Sequence, residues 1–229
     1  VFIGGGNMAS ALIGGMVAKG RPLADFRVVE PHPEARSRLA GAYPGVALFA
    51  AACAEAVAGA DIVVLAVKPQ QMRAAAGALA PFVAGARPPL ILTIAAGIRI
   101  ADLARWLGSA VPIVRAMPNT PALVGRGISG VVAAPGVAAE GRALASAVLA
   151  AAGEVVWVDD EARIDAVTAV SGSGPAYVFY FLEALEAAAL AQGFPAADAR
   201  RLALATFDGA VALAQRSGEE PSVLRAQVT

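Results

Sequence analysis

The chain has 229 residues, enough for one large domain or two modest ones with a full core. Lys plus Arg total 18 and Asp plus Glu total 18, so the net charge is zero, which argues against a nucleic-acid footprint or a polybasic membrane patch. Hydrophobic residues reach 58% and mean hydropathy is +0.64, but the longest stretches free of Asp, Glu, Lys and Arg, 1–18 and 166–182, are broken by Gly4-Gly5-Gly6-Asn7 and Ser171-Gly172-Ser173-Gly174-Pro175, so neither is the run of about 20 apolar residues that a spanning helix needs.

Val1-Phe2-Ile3 reads as the tail of a strand whose start lies upstream. A helix is predicted over Met8 to Lys19, with Gly20 as its stop. Further strands are predicted at Phe26 to Val29, Val46 to Phe49, Ile62 to Val67, Leu90 to Ile94 and Val111 to Val114. Helices are predicted at Glu34 to Ala42, Ala54 to Ala58, Gln70 to Leu79 and Ile100 to Leu107. Ile62 to Val67 is continuously apolar, as a strand buried on both faces would be. The alternation predicts an α/β fold with a parallel sheet. The last predicted strand is Val155 to Val158; long helices follow at Ala176 to Gln192 and Ala196 to Arg216. A boundary near Asp159-Asp160 gives a nucleotide-type domain over 1–159 and an all-helical domain over 160–229. Val178 to Leu182 is apolar on every helix face, and two helices cannot bury that alone, so at least a dimer is expected through this region.

One Cys (Cys53) and one His (His32) allow no disulfide within the chain and no Cys/His zinc site, and no metal site is expected. There is no G-x-S-x-G elbow for a serine triad. Residues 1–18 carry no charged leader region, and the cytoplasm is the expected compartment.

Gly4-Gly5-Gly6-Asn7-Met8-Ala9 fits G-x-G-x-x-A between a strand and a helix. Gly4 would make the tight turn and Gly6 would let backbone approach a pyrophosphate. Ala9 would let helix and strand pack closely, with the helix start at Asn7 and Met8 facing the phosphates. Glu30 lies 21 residues past Ala9 at a strand end, where an acid accepts from a ribose 2′-hydroxyl. The plain alternatives are a simple glycine turn and a solvated strand-end charge. Ala66-Val67-Lys68-Pro69 ends the next buried strand, where Lys68 can meet the cofactor or be merely solvated, and Pro69 suits a helix start. Small residues at Ala95 and Gly97 would leave room for a nicotinamide ring.

Arg115 to Ala122 (RAMPNTPA) is either a rigid Asn turn or a site loop offering Met117, Pro118 and Asn119. Ser171, Gly172, Ser173, Gly174 and Pro175 precede an apolar helix and form either a simple N-cap or a cradle for a small carboxylate. Cys53 is read as a small buried hydrophobe and His32 as a surface loop residue.

Phe2-Ile3-Gly4-Gly5-Gly6-Asn7-Met8-Ala9, Ala66-Val67-Lys68-Pro69, RAMPNTPA and Ser171 to Tyr177 (SGSGPAY) together closely resemble pyrroline-5-carboxylate reductase, in order over essentially the whole chain. The resemblance implies a Rossmann domain plus a helical dimerisation domain, with dimers that can combine into a decamer. It implies reduction of Δ1-pyrroline-5-carboxylate to L-proline with NADPH or NADH, the last step of proline biosynthesis. It places the substrate against Ser171 to Pro175, and it matches Gly218-Glu219-Glu220-Pro221 to a family Gly-Glu-x-Pro stretch, which makes Glu219 a further candidate. It also implies a following S-P-G-G-T-T loop and closing helix, roughly forty residues by domain length, so the chain reads as lacking its start and its last active-site loop. Many members carry Asn where Cys53 stands. Glu30 favours NADH while the family commonly takes NADPH, so dual use is expected, with Arg36 the nearby cation. A related hydroxyacid or imine reductase, or a nucleotide-sensing module without catalysis, are the competing readings.

Overall fold

Short strands of Val, Ile and Leu alternate with helices through the first three-quarters of the chain. In the computed structural model, which describes residues 1–108 and 111–229, they assemble into one eight-stranded sheet. The strands are β1 (Phe2–Ile3), β2 (Arg27–Val29), β3 (Ala47–Phe49), β4 (Ile62–Leu65), β5 (Leu90–Thr93), β6 (Ile113–Met117), β7 (Gly127–Ala133) and β8 (Gly153–Trp157). Their order is β3-β2-β1-β4-β5-β6-β7-β8. All pairs are parallel except β6 with β7. The first six strands have the doubly wound 3-2-1-4-5-6 order, with the direction of winding reversing between β1 and β4.

The helices are α1 (Asn7–Ala18), α2 (Pro33–Ala42), α3 (Ala54–Val57), α4 (Pro69–Val83), α5 (Ile100–Leu107), α6 (Ala139–Leu149), α7 (Arg163–Val167), α8 (Gly174–Ala191), α9 (Ala196–Ser217) and α10 (Pro221–Val228). Two compact units result, Val1–Ser173 and Gly174–Thr229.

Side chains of a buried strand alternate between its faces, so the sheet of the first unit carries two cores. Val64 joins Leu12, Ile13, Leu39 and Leu149 on the face covered by α1, α2 and α6. Val63 and Leu65 join Met72, Leu79 and Leu103 on the face covered by α3, α4 and α5. Removing each such side chain from water contributes about 1.5–3 kcal/mol.

Several elements differ from the sequence expectation. Strand β6 runs Ile113–Met117 rather than Val111 to Val114, and β4 stops at Leu65, four residues before the Pro69 that opens α4. Elements β7, α6, α7 and α10 were not anticipated. Strand β7 hides behind its glycines: a Cβ on Gly127 would stand 2.8 Å from Ala122, and one on Gly130 would stand 2.5 Å from Val167 Cγ1. These positions are glycine because neighbouring segments lie against the strand. The sheet is therefore parallel-dominated rather than wholly parallel. Helix α8 starts two residues earlier than expected, with Pro175 in its second position. Cys53 is half-buried at the start of α3, and His32 is exposed.

Candidate active site

Strands β1, β4, β5 and β6 are parallel neighbours, so the loops after them leave the same edge of the sheet. In open α/β sheets, ligands bind beyond this carboxyl edge, where the strand order reverses.

At that reversal Gly4 has φ +97°, a backbone region favouring glycine, and donates its N–H to the Val29 carbonyl at 2.8 Å. A Cβ there would also stand 2.8 Å from the Ala66 carbonyl oxygen. Gly5 packs on Leu39, whereas a Cβ on Gly6 would meet nothing within 4 Å. Gly6 leads into α1 without any side-chain cap, so the first N–H groups of the helix, at Asn7, Met8 and Ala9, have no partner of that kind. A tight turn, an open approach at Gly6 and an uncapped helix start fit a dinucleotide pyrophosphate. Ala9 is fully buried against the sheet.

Glu30 follows β2 and is only 7% exposed. Its two carboxylate oxygens accept the Gly5 and His32 backbone N–H groups, each at 2.9 Å. Arg36, one turn into α2, donates from Nη1 to the carbonyls of Glu30 at 2.7 Å and Pro31 at 2.8 Å. After β4, Ala66 and Val67 are half-buried and Lys68 and Pro69 are exposed at the start of α4. After β5, Ala95 is buried and Gly97 turns outward with φ +74°.

Beyond β6, the RAMPNTPA and SGSG segments meet. Asn119 is buried; its Nδ2 donates to the Ser171 carbonyl at 3.0 Å and its Oδ1 accepts the Ile128 N–H at 2.9 Å. Met117 Cε would stand 2.9 Å from a Cβ on Gly172, and Pro118 is buried beside it in sequence. Thr168–Gly172 forms a widened π-type turn, a form that often marks functional segments. Within it the Ser171 hydroxyl donates to the Val167 carbonyl and the Ser173 N–H to the Thr168 carbonyl. Ser171, Gly172 and Ser173 are half-buried in the first unit; Gly174 and Pro175 open the second. Glu219 also lies in the second unit, in the exposed turn between α9 and α10.

Sequence reasoning missed a brace behind these loops. Arg115, 4% exposed on β6, pairs with Glu161 at 2.8 Å. The same Glu161 oxygen accepts the N–H of Ile100, the first residue of α5. One carboxylate thus ties the strand before Met117 to the helix after Gly97. Both residues looked like ordinary charges, and only the burial of Arg115 distinguishes them.

The fold and this edge define a nucleotide-binding α/β unit of oxidoreductase type, followed by a separate helical unit. Two family models match: NADP oxidoreductase, coenzyme F420-dependent, over residues 1–97, and pyrroline-5-carboxylate reductase dimerisation over residues 161–229. The chain is 49% identical to the pyrroline-5-carboxylate reductase of Pseudomonas aeruginosa over 228 residues, covering 100% of this chain and 82% of that one. A reductase structure from Coxiella burnetii superposes with a TM-score of 0.91 at 35% identity, over 100% of this chain and 83% of that one. The Plasmodium falciparum pyrroline carboxylate reductase, solved with NADP bound, superposes at 0.85 with 27% identity, over 100% and 82%. The chain belongs to the pyrroline-5-carboxylate reductase family. It is an oxidoreductase.

Proposed function

We propose that this chain reduces Δ1-pyrroline-5-carboxylate to L-proline with NAD(P)H, the last step of proline biosynthesis. The observation that carries the reading is the end-to-end similarity to reductases of this substrate, at 49% identity over 228 residues. When bound, the nicotinamide supplies the hydride to the carbon of the cyclic C=N bond. The protein's task is position and electrostatics.

Gly4, Gly6 and the first turn of α1 at Asn7, Met8 and Ala9 hold the pyrophosphate. Lys68, with Ala66, Val67 and Pro69, flanks it from the neighbouring strand. Ala95 and Gly97 leave room for the nicotinamide, and Met117 and Pro118 form the wall behind it. The Ser173 hydroxyl and the backbone of the Ser171–Pro175 turn hold the substrate carboxylate. Asn119 acts by positioning this turn, since its amide is already bonded to Ser171 and Ile128.

The enzyme works as a homodimer joined through its helical unit, with decamers built from dimers. The dimerisation model over residues 161–229 supports the dimer. Among the described residues no helix is long and apolar enough to cross a membrane. One unpaired cysteine suits a reducing compartment, and we place the enzyme in the cytoplasm.

The deciding experiment follows loss of nicotinamide absorbance when pyrroline-5-carboxylate is added to the full-length protein. Dependence on that substrate is expected; oxidation that ignores it, or none at all, would overturn the reading. In the same full-length protein, Ser173→Ala should raise the KM for the imine more than the KM for the cofactor. Equal effects would remove the turn from the substrate site.

A further inference from the structure

We propose that Arg115 and Glu161 are positioning residues for hydride transfer: their bond fixes the loop after β5 and the loop after β6 against each other, and so sets how the nicotinamide stands to the imine. This role rests on the functional reading above, which puts both loops at the nicotinamide, and adds two residues that act through those loops.

Arg115 is an unusual residue for a buried strand. It stands opposite Thr93 in the parallel pairing of β6 with β5, and both leave the sheet on the face that carries Ile91 and Ile113. That face is otherwise apolar, covered by Leu103 and Leu107 of α5. Thr93 is fully buried, and its hydroxyl accepts the Ala95 N–H at 3.3 Å, inside the β5 loop. Arg115 is 4% exposed, and its Nε has no hydrogen-bond partner among the described residues. Taking a guanidinium out of water is costly, and apolar residues of similar volume often match or exceed a buried ion pair in stability. What the pair adds is geometry.

That geometry is specific. Arg115 Nη1 donates to Glu161 Oε1 at 2.8 Å, and the same oxygen accepts the Ile100 N–H at 2.8 Å. Ile100 opens α5 three residues after Gly97, and Arg115 stands two residues before Met117. One oxygen therefore fixes the far end of the β5 loop to the near end of the β6 loop. Arg115 Nη2 also faces the exposed Asp165 of α7 at 3.8 Å. Helix α7 leads directly into the Thr168–Gly172 turn that carries Ser171. Because Asn119 holds Ser171, residues 161–171 are tied at both ends to residues 115–119. The substrate turn and the walls of the nicotinamide space are thereby held as one frame within the first unit. A displacement of about 1 Å in such a frame costs roughly 100-fold in rate.

The test is steady-state kinetics of the full-length enzyme, with NADPH carrying hydrogen or deuterium at the transferred position, beside thermal melts. Arg115→Met should fold and lower kcat about 10- to 100-fold, with the cofactor KM within about threefold of the parent. Deuterium should slow that turnover, because hydride transfer is the step that loses its geometry. Glu161→Asp keeps the charge on an arm one methylene shorter, which cannot meet Arg115 and the Ile100 N–H together, and should show the same loss. Glu161→Gln keeps the shared oxygen at full length and should recover most of the parental kcat. A merely structural role would move the melting midpoint and leave the kcat of folded enzyme unchanged. Parental kcat in folded Arg115→Met or Glu161→Asp overturns the proposal. So does a loss confined to the cofactor KM, a slow turnover without an isotope effect, or a Glu161→Gln enzyme as slow as Glu161→Asp. Should Arg115→Met not fold, the comparison of Glu161→Asp with Glu161→Gln still decides. An active parent whose kcat ignores these substitutions defeats this proposal alone, whereas a parent that ignores pyrroline-5-carboxylate removes the functional reading with it.

Discussion

Asn119 donates to the Ser171 carbonyl at 3.0 Å, across 52 residues of sequence. With its oxygen on the Ile128 N–H, this one amide joins the loop after β6, the start of β7 and the turn that leads to α8. Asn119→Asp would set a carboxylate against the Ser171 carbonyl, two acceptors facing each other. A loss of about 1–3 kcal/mol of stability is expected, the range for a buried group left unpaired. Activity should fall more steeply, by roughly 100-fold in kcat/KM, because small displacements of positioning groups have that effect. Denaturant unfolding and steady-state kinetics would check it; a stable variant with parental kinetics would free Asn119 of any positioning role.

The glycine turn offers a contrast between neighbours. Gly4→Ala places a Cβ at φ +97° and 2.8 Å from the Ala66 carbonyl oxygen, so it should lower the unfolding midpoint and weaken dinucleotide binding together. Gly6 has φ −74° and open space around it. Gly6→Ala should leave the midpoint within a few degrees, equivalent to less than about 1 kcal/mol, while weakening the dinucleotide. Thermal melts alongside nucleotide titration separate the two, and unaltered binding by Gly6→Ala would move the pyrophosphate elsewhere.

The Arg115–Glu161 pair is unequal in exposure, with side chains at 5% and 28%. Removing the acid leaves the buried guanidinium, whose Nε already lacks a partner, with only the exposed Asp165 at 3.8 Å, and it also frees the Ile100 N–H. Glu161→Ala should therefore cost about 3–5 kcal/mol, the range for breaking a buried pair. Arg115→Met leaves a carboxylate that water can reach and fills the space with apolar atoms, so the loss should be clearly smaller. Urea denaturation of both variants measures the difference, and the opposite order would refute the argument.

In the isolated chain Tyr177, Phe179, Tyr180 and Phe181 on α8 are 56%, 59%, 69% and 60% exposed. Side chains this large contribute about 1.5–3 kcal/mol each when buried, so a family dimer joined by the helical unit has its driving force here. Phe179→Glu should shift the particle from dimer toward monomer at micromolar concentration, read by light scattering. A parent chain that is already monomeric under those conditions would remove α8 from the interface.

Local patterning made much of the molecule legible. The apolar runs marked β1, β4 and β5, because a strand buried on both faces must be apolar throughout. Gly4 to Ala9, RAMPNTPA and the Ser171–Ser173 start of SGSGPAY marked segments of the first unit, the last two joined by the Asn119–Ser171 bond, and the order of the motifs along the chain carried the family. Strand β7 escaped because Gly127 and Gly130 answer to Ala122 and Val167, partners that local sequence does not reveal. Glu30 and Arg36 show the same division at the level of chemistry. Sequence spacing established that an acid and a base stand at the end of β2. Only the folded backbone decided what each of them holds, because the donors of Gly5 and His32 that turn the carboxylate inward, and the carbonyls that hold Arg36 at the strand end, are brought into place by tertiary structure.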